Sequence, residues 1–333
     1  MKPKEIRRID WVKYNIYFFL EHILGLKKFN IFFGKNRKEL YQKIDSYLPD
    51  SLIGRKVEVE ELSPNISREE FMDKCYKTTR PKIFKGAAKE WGAVKKWNLD
   101  FFSDNYGDKE IILTDNIGLT DQEFEILTLR KYIKQLKSGG LKYLRFSDVV
   151  KNDKELQHDF DLPWLRNFTI PYSWGEEPKM FMGAKKSLTP LHVGFSYFLF
   201  IQVMGQKKWI IYPPENRIFL DARTDRTFYF YSNANPYHLS DESFPLLKYA
   251  ERYEITLGPG DVLWIPSFAW HHVENLSDTI GIRFGTSNVF SAWKSSKQLT
   301  SLIFFATKPN ILTHLYTSIF KKSTHIFNKS QRK

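Results

Sequence analysis

Two short segments hold the residue types best suited to metal chemistry: Thr189-Pro190-Leu191-His192-Val193-Gly194 and Trp270-His271-His272-Val273. Neutral imidazole is a good donor to divalent iron, whereas Cys75, the single cysteine, offers no thiolate set that would select another metal. In a two-histidine, one-carboxylate iron site the carboxylate normally stands two residues after the first histidine. Here that position is Gly194, which has no side chain to donate. Successive side chains of a strand face opposite ways, so His271 and His272 do not easily bind one ion together. A lone histidine beside a tryptophan is more often a packing residue than a ligand, so the surrounding pattern has to carry the argument.

The elements that must position these residues are short strands. From Lys179 onward the chain breaks into apolar runs at residues 198–203, 209–212, 254–257, 262–265 and 281–284, with Gly258-Pro259-Gly260-Asp261 as a turn between two of them. Upstream, residues 1–56 read as helical and basic, and Val57-Glu58-Val59-Glu60 as an alternating strand. Ser67-Arg68-Glu69-Glu70 has the form of a capping box opening a helix with Phe71, Met72 and Tyr76. A second helix is expected over residues 101–106 and a strand over 110–113. Short strands punctuated by Gly and Pro predict a mainly β protein, a double-stranded β-helix or jelly-roll barrel flanked by N- and C-terminal helices. The organisation expected is a basic helical extension at 1–56, a barrel domain at 57–290 and a basic amphipathic tail at 291–333.

Three blocks occur in a telling order. Thr189-Pro190-Leu191-His192 comes first, then Gln202-Val203-Met204-Gly205-Gln206-Lys207-Lys208-Trp209 leading to Pro213-Pro214. Gly260-Asp261-Val262-Leu263-Trp264-Ile265-Pro266 follows, with Trp270-His271-His272-Val273 behind it. Together they resemble the JmjC and cupin-like family of Fe(II)/2-oxoglutarate oxygenases, and Arg80-Pro81 through Gly86-Ala87 with Trp91 and Trp97 is similar to that family's entry segment. The resemblance implies that His192 and His271 bind Fe(II), its Trp-His-x-Val spacing selecting His271 over His272. It also implies that Lys207 meets the distal carboxylate of 2-oxoglutarate, assisted by Thr189 and, less directly, Tyr143.

The departures from the family pattern cluster at the same site. Gly194 replaces the acidic ligand, Phe198 stands where an Asn is frequent, and Arg283 stands where an Asn commonly follows the distal histidine. Three readings follow. The vacated position accepts chloride, as in iron halogenases of other families, with Phe198 as an apolar wall and Arg283 as nearby positive charge. Alternatively the protein hydroxylates, with water or another carboxylate such as Glu274 completing the shell. In the third reading iron is lost and the fold serves as a binding or interaction module.

A net charge of +13 is unevenly distributed, because no acidic residue follows Asp278. Both termini combine lysines with apolar residues at helical spacing: Leu299, Leu302 and Ile303, then Ile311, Leu312, Leu315, Ile319 and Phe320 on either side of Pro309. Such segments suit an anionic membrane surface, although ordinary packing helices with a lysine-rich outer face are commoner. No nucleic-acid motif accompanies the charge, so nucleic acid is not an expected partner. A single cysteine fits a reducing, cytoplasmic setting, with peripheral membrane contact as an addition. Residues 14–26 carry Glu21 and His22 and are too short to span a bilayer, so neither export nor a transmembrane helix is expected. Residues 215–253, rich in Phe, Tyr and Arg, are expected at the mouth of the site, suiting a small molecule, an amino acid or a peptide. The sequence leaves oligomeric state open.

Overall fold

A computed structural model describes residues 2–114, 124–224 and 230–305. Its strands, in chain order, are β1 Lys56–Val57, β2 Glu60–Glu61, β3 Lys82–Phe84, β4 Glu110–Thr114, β5 Phe124–Thr128, β6 Tyr143–Ser147, β7 Trp174–Gly183 and β8 Leu188–Val193. They continue as β9 Tyr197–Met204, β10 Lys207–Tyr212, β11 Phe230–Tyr231, β12 Arg252–Leu257, β13 Val262–Ile265, β14 Trp270–Asn275 and β15 Thr279–Ser287. One sheet runs β1-β12-β10-β14-β8-β11, the other β2-β3-β13-β9-β15-β7-β6-β4-β5. The protein is mainly β, with a jelly-roll arrangement of two sheets and helices at its ends. The sheets are not closed into a continuous barrel.

Period-two alternation explains how the sheets meet. In β9, Tyr197, Leu199 and Ile201 pack in the core outside the larger sheet, whereas Phe198 and Phe200 join the core between the sheets. In β10, Trp209 and Ile211 face that inner core, and Ile210 and Tyr212 face the outer core of the smaller sheet. The Phe200 and Trp209 rings meet at 4.9 Å between centroids, joining the two inner faces. Glycines make room for this layer: a Cβ on Gly281 would lie 2.4 Å from Phe200 Cζ, and one on Gly183 would lie 2.6 Å from Tyr143 Cδ2.

The helices are laid on the outside. α1 Arg8–Leu24 and α2 Leu26–Asp45 pack Trp11, Tyr14, Phe18, Leu40 and Ile44 into the outer core of the smaller sheet. Buried Glu21 of α1 anchors the pair, pairing with Arg37 of α2, accepting from the Thr224 N–H at 2.9 Å and lying 3.3 Å from Arg223. Ser67 caps Arg68–Phe71 by accepting from Glu70 N at 3.1 Å, and the chain then continues as a π turn over Met72–Tyr76.

Several expectations change. The alternating strand at 57–60 is instead two separate two-residue strands, β1 and β2, which pair in different sheets. β5, β6, β7 and β8 were not singled out as strands, and the extended segment in β7 is interrupted by Pro178. At the C-terminus, Val289–Ser295 and Lys297–Phe305 are helices packed on the smaller sheet's outer core through Ala292, Leu299, Leu302 and Ile303. The second half of the expected tail, Pro309 onward, lies outside the described residues, as do 225–229 of the expected mouth segment.

Gly281→Ala should overpack the inner layer, because the Phe200 ring is already held by Trp209 and by Phe181 at 6.0 Å. A loss of about 1–3 kcal/mol is expected, read as a lower midpoint in urea unfolding with an unchanged slope.

Candidate active site

The site is built on the pairing of β8 with β14, in which His192 stands directly opposite His271. Both belong to the inner face: His271 is also opposite Ile211 of β10, an inner-core residue. Their rings lie 4.2 Å apart between centroids. A bulge separates this pair from the next, since Val273 is opposite Thr189. Two steps along β14 thus match three along β8. Thr189 and His192, three residues apart, would face opposite sides of a regular strand; the bulge brings both to the inner face.

The two imidazoles are prepared in the same way. Nδ1–H of His192 donates to the Pro190 carbonyl at 2.8 Å, and Nδ1–H of His271 donates to the Ala269 carbonyl at 2.9 Å. A backbone carbonyl accepts only, so each ring carries its proton on Nδ1 and keeps a lone pair on Nε2. Burial holds both in the neutral form: His192 is pushed well below its ordinary pKa and His271 down to about 4, with a neighbouring histidine adding to the first and Arg283 to the second. Orientation through Nδ1, a neutral ring and an available Nε2 are what a metal-binding histidine needs. His272 faces the other way, with its ring 5.6 Å from Tyr237, as strand alternation requires.

Lys207 lies on the inner face with Trp209 and is 1% exposed, so its ammonium is buried rather than solvated. Its ammonium donates to Tyr143 Oη at 2.9 Å and sits 4.8 Å from the Phe200 ring. Among the described residues no carboxylate forms an ion pair with it, so a buried cation and a phenol stand together awaiting an anion. Phe198 packs edge-on to His271 at 5.7 Å, and the Arg283 guanidinium lies 4.8 Å from the Phe198 ring. Arg283 takes the space left by Gly285, where a Cβ would come within 2.0 Å of its Nη1. Gly194 follows the end of β8, and its N–H–C=O unit is used by Phe268, whose N–H donates to the Gly194 carbonyl at 3.0 Å.

Glu274, offered by the sequence as a substitute ligand, is excluded from this space. It shares the outward side of β14 with His272 and accepts from Tyr237 Oη at 2.7 Å. Among the described residues no group of three or more His, Cys, Asp or Glu side chains could hold a metal ion. The donor set fits an ion held by two histidines whose other ligands come from outside the chain. Two polar groups escaped the sequence reading: Arg145, and Trp209 Nε1, a buried donor with no partner among the described residues. Arg145 had one signal, since it is two residues beyond Tyr143 and so shares its face.

A family model for the cupin-like domain matches residues 67–284, and the chain belongs to that family. It is similar to JmjC domain-containing protein 5 of Drosophila melanogaster, 22% identical over 229 residues, which cover 66% of this chain and 57% of that protein. It is also similar to lysine-specific demethylase 8 of Xenopus tropicalis, 24% identical over 233 residues, covering 66% of this chain and 50% of that protein. A shorter match joins it to human HSPB1-associated protein 1, 33% identical over 121 residues, covering 35% and 24%. The chain thus spans from a quarter to just over half the length of these curated relatives.

Acid should expose the cost of neutral burial. His272 has its pKa lowered to about 4, chiefly by burial. The unfolded state therefore binds the proton first, and this contribution to stability, complete above about pH 6.5, is lost as pH falls toward 4. Replacing His272 with Gln should remove that loss, so that variant minus wild-type stability rises by about 2–3 kcal/mol between pH 7 and pH 4. Urea titrations at fixed pH measure it, and parallel curves for the two proteins would contradict it.

Proposed function

We propose that this chain is an Fe(II)- and 2-oxoglutarate-dependent enzyme that functionalises a C–H bond of its substrate. The observation that supports it best is the opposed pair His192 and His271, each with Nδ1 tied to its own backbone and Nε2 left as a donor. When bound, iron would let dioxygen, the oxidant, take two electrons from 2-oxoglutarate, which leaves as succinate and carbon dioxide, and two from a substrate C–H bond. The chain's own residues do the rest. His192 and His271 hold the metal, Lys207 places positive charge opposite the distal carboxylate, and Tyr143 Oη, which accepts from Lys207, keeps its proton to donate to the same group. Thr189, on the inner face, adds a hydroxyl. Phe198 and Trp209 pack around His271 and keep water from the reacting centre.

Gly194 decides the form of the reaction in this reading. With chloride completing the metal's shell the product is halogenated, and Arg283 beside Phe198 favours an anion nearby. With water there, the product is hydroxylated, and hydroxylation of an N-methyl group ends in demethylation. The demethylase names among the relatives favour a protein or peptide substrate over a free amino acid or small metabolite.

A non-catalytic binding module is the second reading, and one observation favours it. Lys207, Arg145 and Arg283 all stand near a histidine pair with no acidic ligand, an arrangement that opposes a divalent cation.

Anaerobic titration with Fe(II) and 2-oxoglutarate, with and without chloride, tests the proposal through the visible iron-to-2-oxoglutarate charge-transfer band. A band lost in His192→Ala and His271→Ala is expected, with Lys207→Met weakening 2-oxoglutarate at least about tenfold. A chloride-induced shift of the band would select halogenation, and chloride indifference hydroxylation. No band and no retained iron would select the binding module. Gly194→Asp should tighten iron binding by restoring a charged ligand.

A further inference from the structure

Arg145 lies on β6, two residues beyond Tyr143 and on the same inner face, with its guanidinium 4.8 Å from the Tyr143 ring. It is 9% exposed. One nitrogen, Nη2, reaches across to the other sheet and donates to the Leu188 carbonyl at 2.8 Å, next to Thr189. Nε and Nη1 are buried with no hydrogen-bond partner among the described residues. Among the described residues no carboxylate pairs with it, and burial pulls its pKa down. A strut between sheets would need only the Leu188 contact. Leaving two further buried donor nitrogens unsatisfied is destabilising, and an apolar side chain of similar size would avoid that cost.

The position identifies what would satisfy it. Lys207 and Arg145 flank the same Tyr143 ring, and Arg145 alone of the two is tied to the Leu188 carbonyl of β8, the strand that carries Thr189 and His192. The inner face thus presents one cation beside the phenol and a second toward β8. We propose that Arg145 is a second carboxylate-binding residue of the site, its guanidinium fork closing on a carboxylate at the His192 side. This rests on the 2-oxoglutarate reading only for one source of that carboxylate, the cosubstrate's own 1-carboxylate. The other source is an acidic group on the substrate.

Anaerobic calorimetry of the Fe(II)-loaded chain separates the two, using 2-oxoglutarate and 2-oxovalerate, which lacks the distal carboxylate. If the cosubstrate is the source, Arg145→Met weakens both ligands about tenfold or more, whereas Lys207→Met weakens 2-oxoglutarate alone. If the substrate is the source, 2-oxoglutarate binding is unchanged, and the saturation-transfer NMR signal of acetate on the 2-oxoglutarate-loaded chain is lost in Arg145→Met. A folded Arg145→Met that changes neither arm overturns the proposal. A wild-type chain that binds no 2-oxoglutarate overturns the cosubstrate reading, and acetate is then observed on the chain without 2-oxoglutarate, where a signal unchanged in Arg145→Met overturns the proposal. The melting temperature of Arg145→Met should hold or rise; a fall with unchanged ligand binding makes Arg145 a strut. If that variant does not fold, Arg145→Lys, which keeps charge but not the fork, carries the same comparison.

A separate surface carries a second inference. α1 is apolar on two faces: Trp11, Tyr14 and Phe18 pack inward, while Ile9, Val12, Ile16 and Phe19 form an exposed stripe, each about half exposed. Ile31 and Phe32 of the adjoining α2 are also exposed, at 70% and 65%. Arg8 and Lys13 flank the stripe at 100° per residue, and Lys27, Lys28 and Lys35 are exposed, whereas Asp10 and Glu21 of α1 are buried. No helix among the described residues is long and apolar enough to cross a membrane. We infer that this face docks peripherally on an anionic lipid surface, with the stripe entering the headgroup boundary between its cations. Co-sedimentation with phosphatidylcholine vesicles containing phosphatidylserine should show binding that weakens with salt and is lost in Ile16→Asp/Phe19→Asp. Binding that survives this variant overturns the inference. So does a stripe-dependent dimer without vesicle binding, or binding lost only when residues 306–333 are removed.

Discussion

The antiparallel pairing of β8 with β14 sets where every group in the site stands. It places His192 opposite His271, and its bulge turns Thr189 to the same side. The same β14 pairs with β10 on its other edge, so Lys207 and Trp209 are fixed relative to His271 by ladder hydrogen bonds rather than by flexible loops. Three adjacent strands of one sheet therefore carry the two histidines, a hydroxyl and the buried lysine. The facing sheet supplies Tyr143, Phe198 and Arg283. Arg145 crosses between the sheets through the Leu188 carbonyl, so the spacing of the layers and the reach of this side chain are one constraint.

The electrostatics of this space are unusual for a metal site. Removing the acidic ligand at 194 subtracts a negative charge, and the residues nearby add positive ones. Burial keeps both histidines neutral, which suits coordination, but the cations oppose a second positive ion unless anions enter with it. A metal bound as proposed would therefore enter together with anionic ligands.

Much of the fold was legible because alternation is a local signal. Phe198 and Phe200 against Leu199 and Ile201, or Trp209 and Ile211 against Ile210, predict strands with two apolar faces. The placement of Thr189 beside His192 was not legible from alternation, since a spacing of three contradicts period two; only the resemblance pointed there, and the bulge supplies the reason. β7 escaped because Pro178 and two glutamates interrupt its pattern. Arg145 escaped because buried, unpaired guanidinium is visible only once its surroundings are known. The exclusion of Glu274 follows from parity with His271 and needed no coordinates, only that rule applied three residues further along.

Gly194 then bears a specific meaning. Glycine is commonly retained where φ is positive, but the described left-handed glycines are at 25, 54, 86, 139, 175, 205 and 260, and 194 is not among them. The backbone at 194 does not itself call for glycine. Nor does its hydrogen bond, because the Gly194 carbonyl would accept from the Phe268 N–H whatever the side chain. By contrast, Gly205 at φ +74° sits in the turn between β9 and β10, and any side chain there is strained. The two glycines differ in kind: Gly205 is required by the chain's path, whereas neither a positive φ nor the backbone hydrogen bond requires glycine at 194. In the proposed reading, the position two residues beyond His192 is left to a ligand that the chain does not supply, and an exogenous anion would take it.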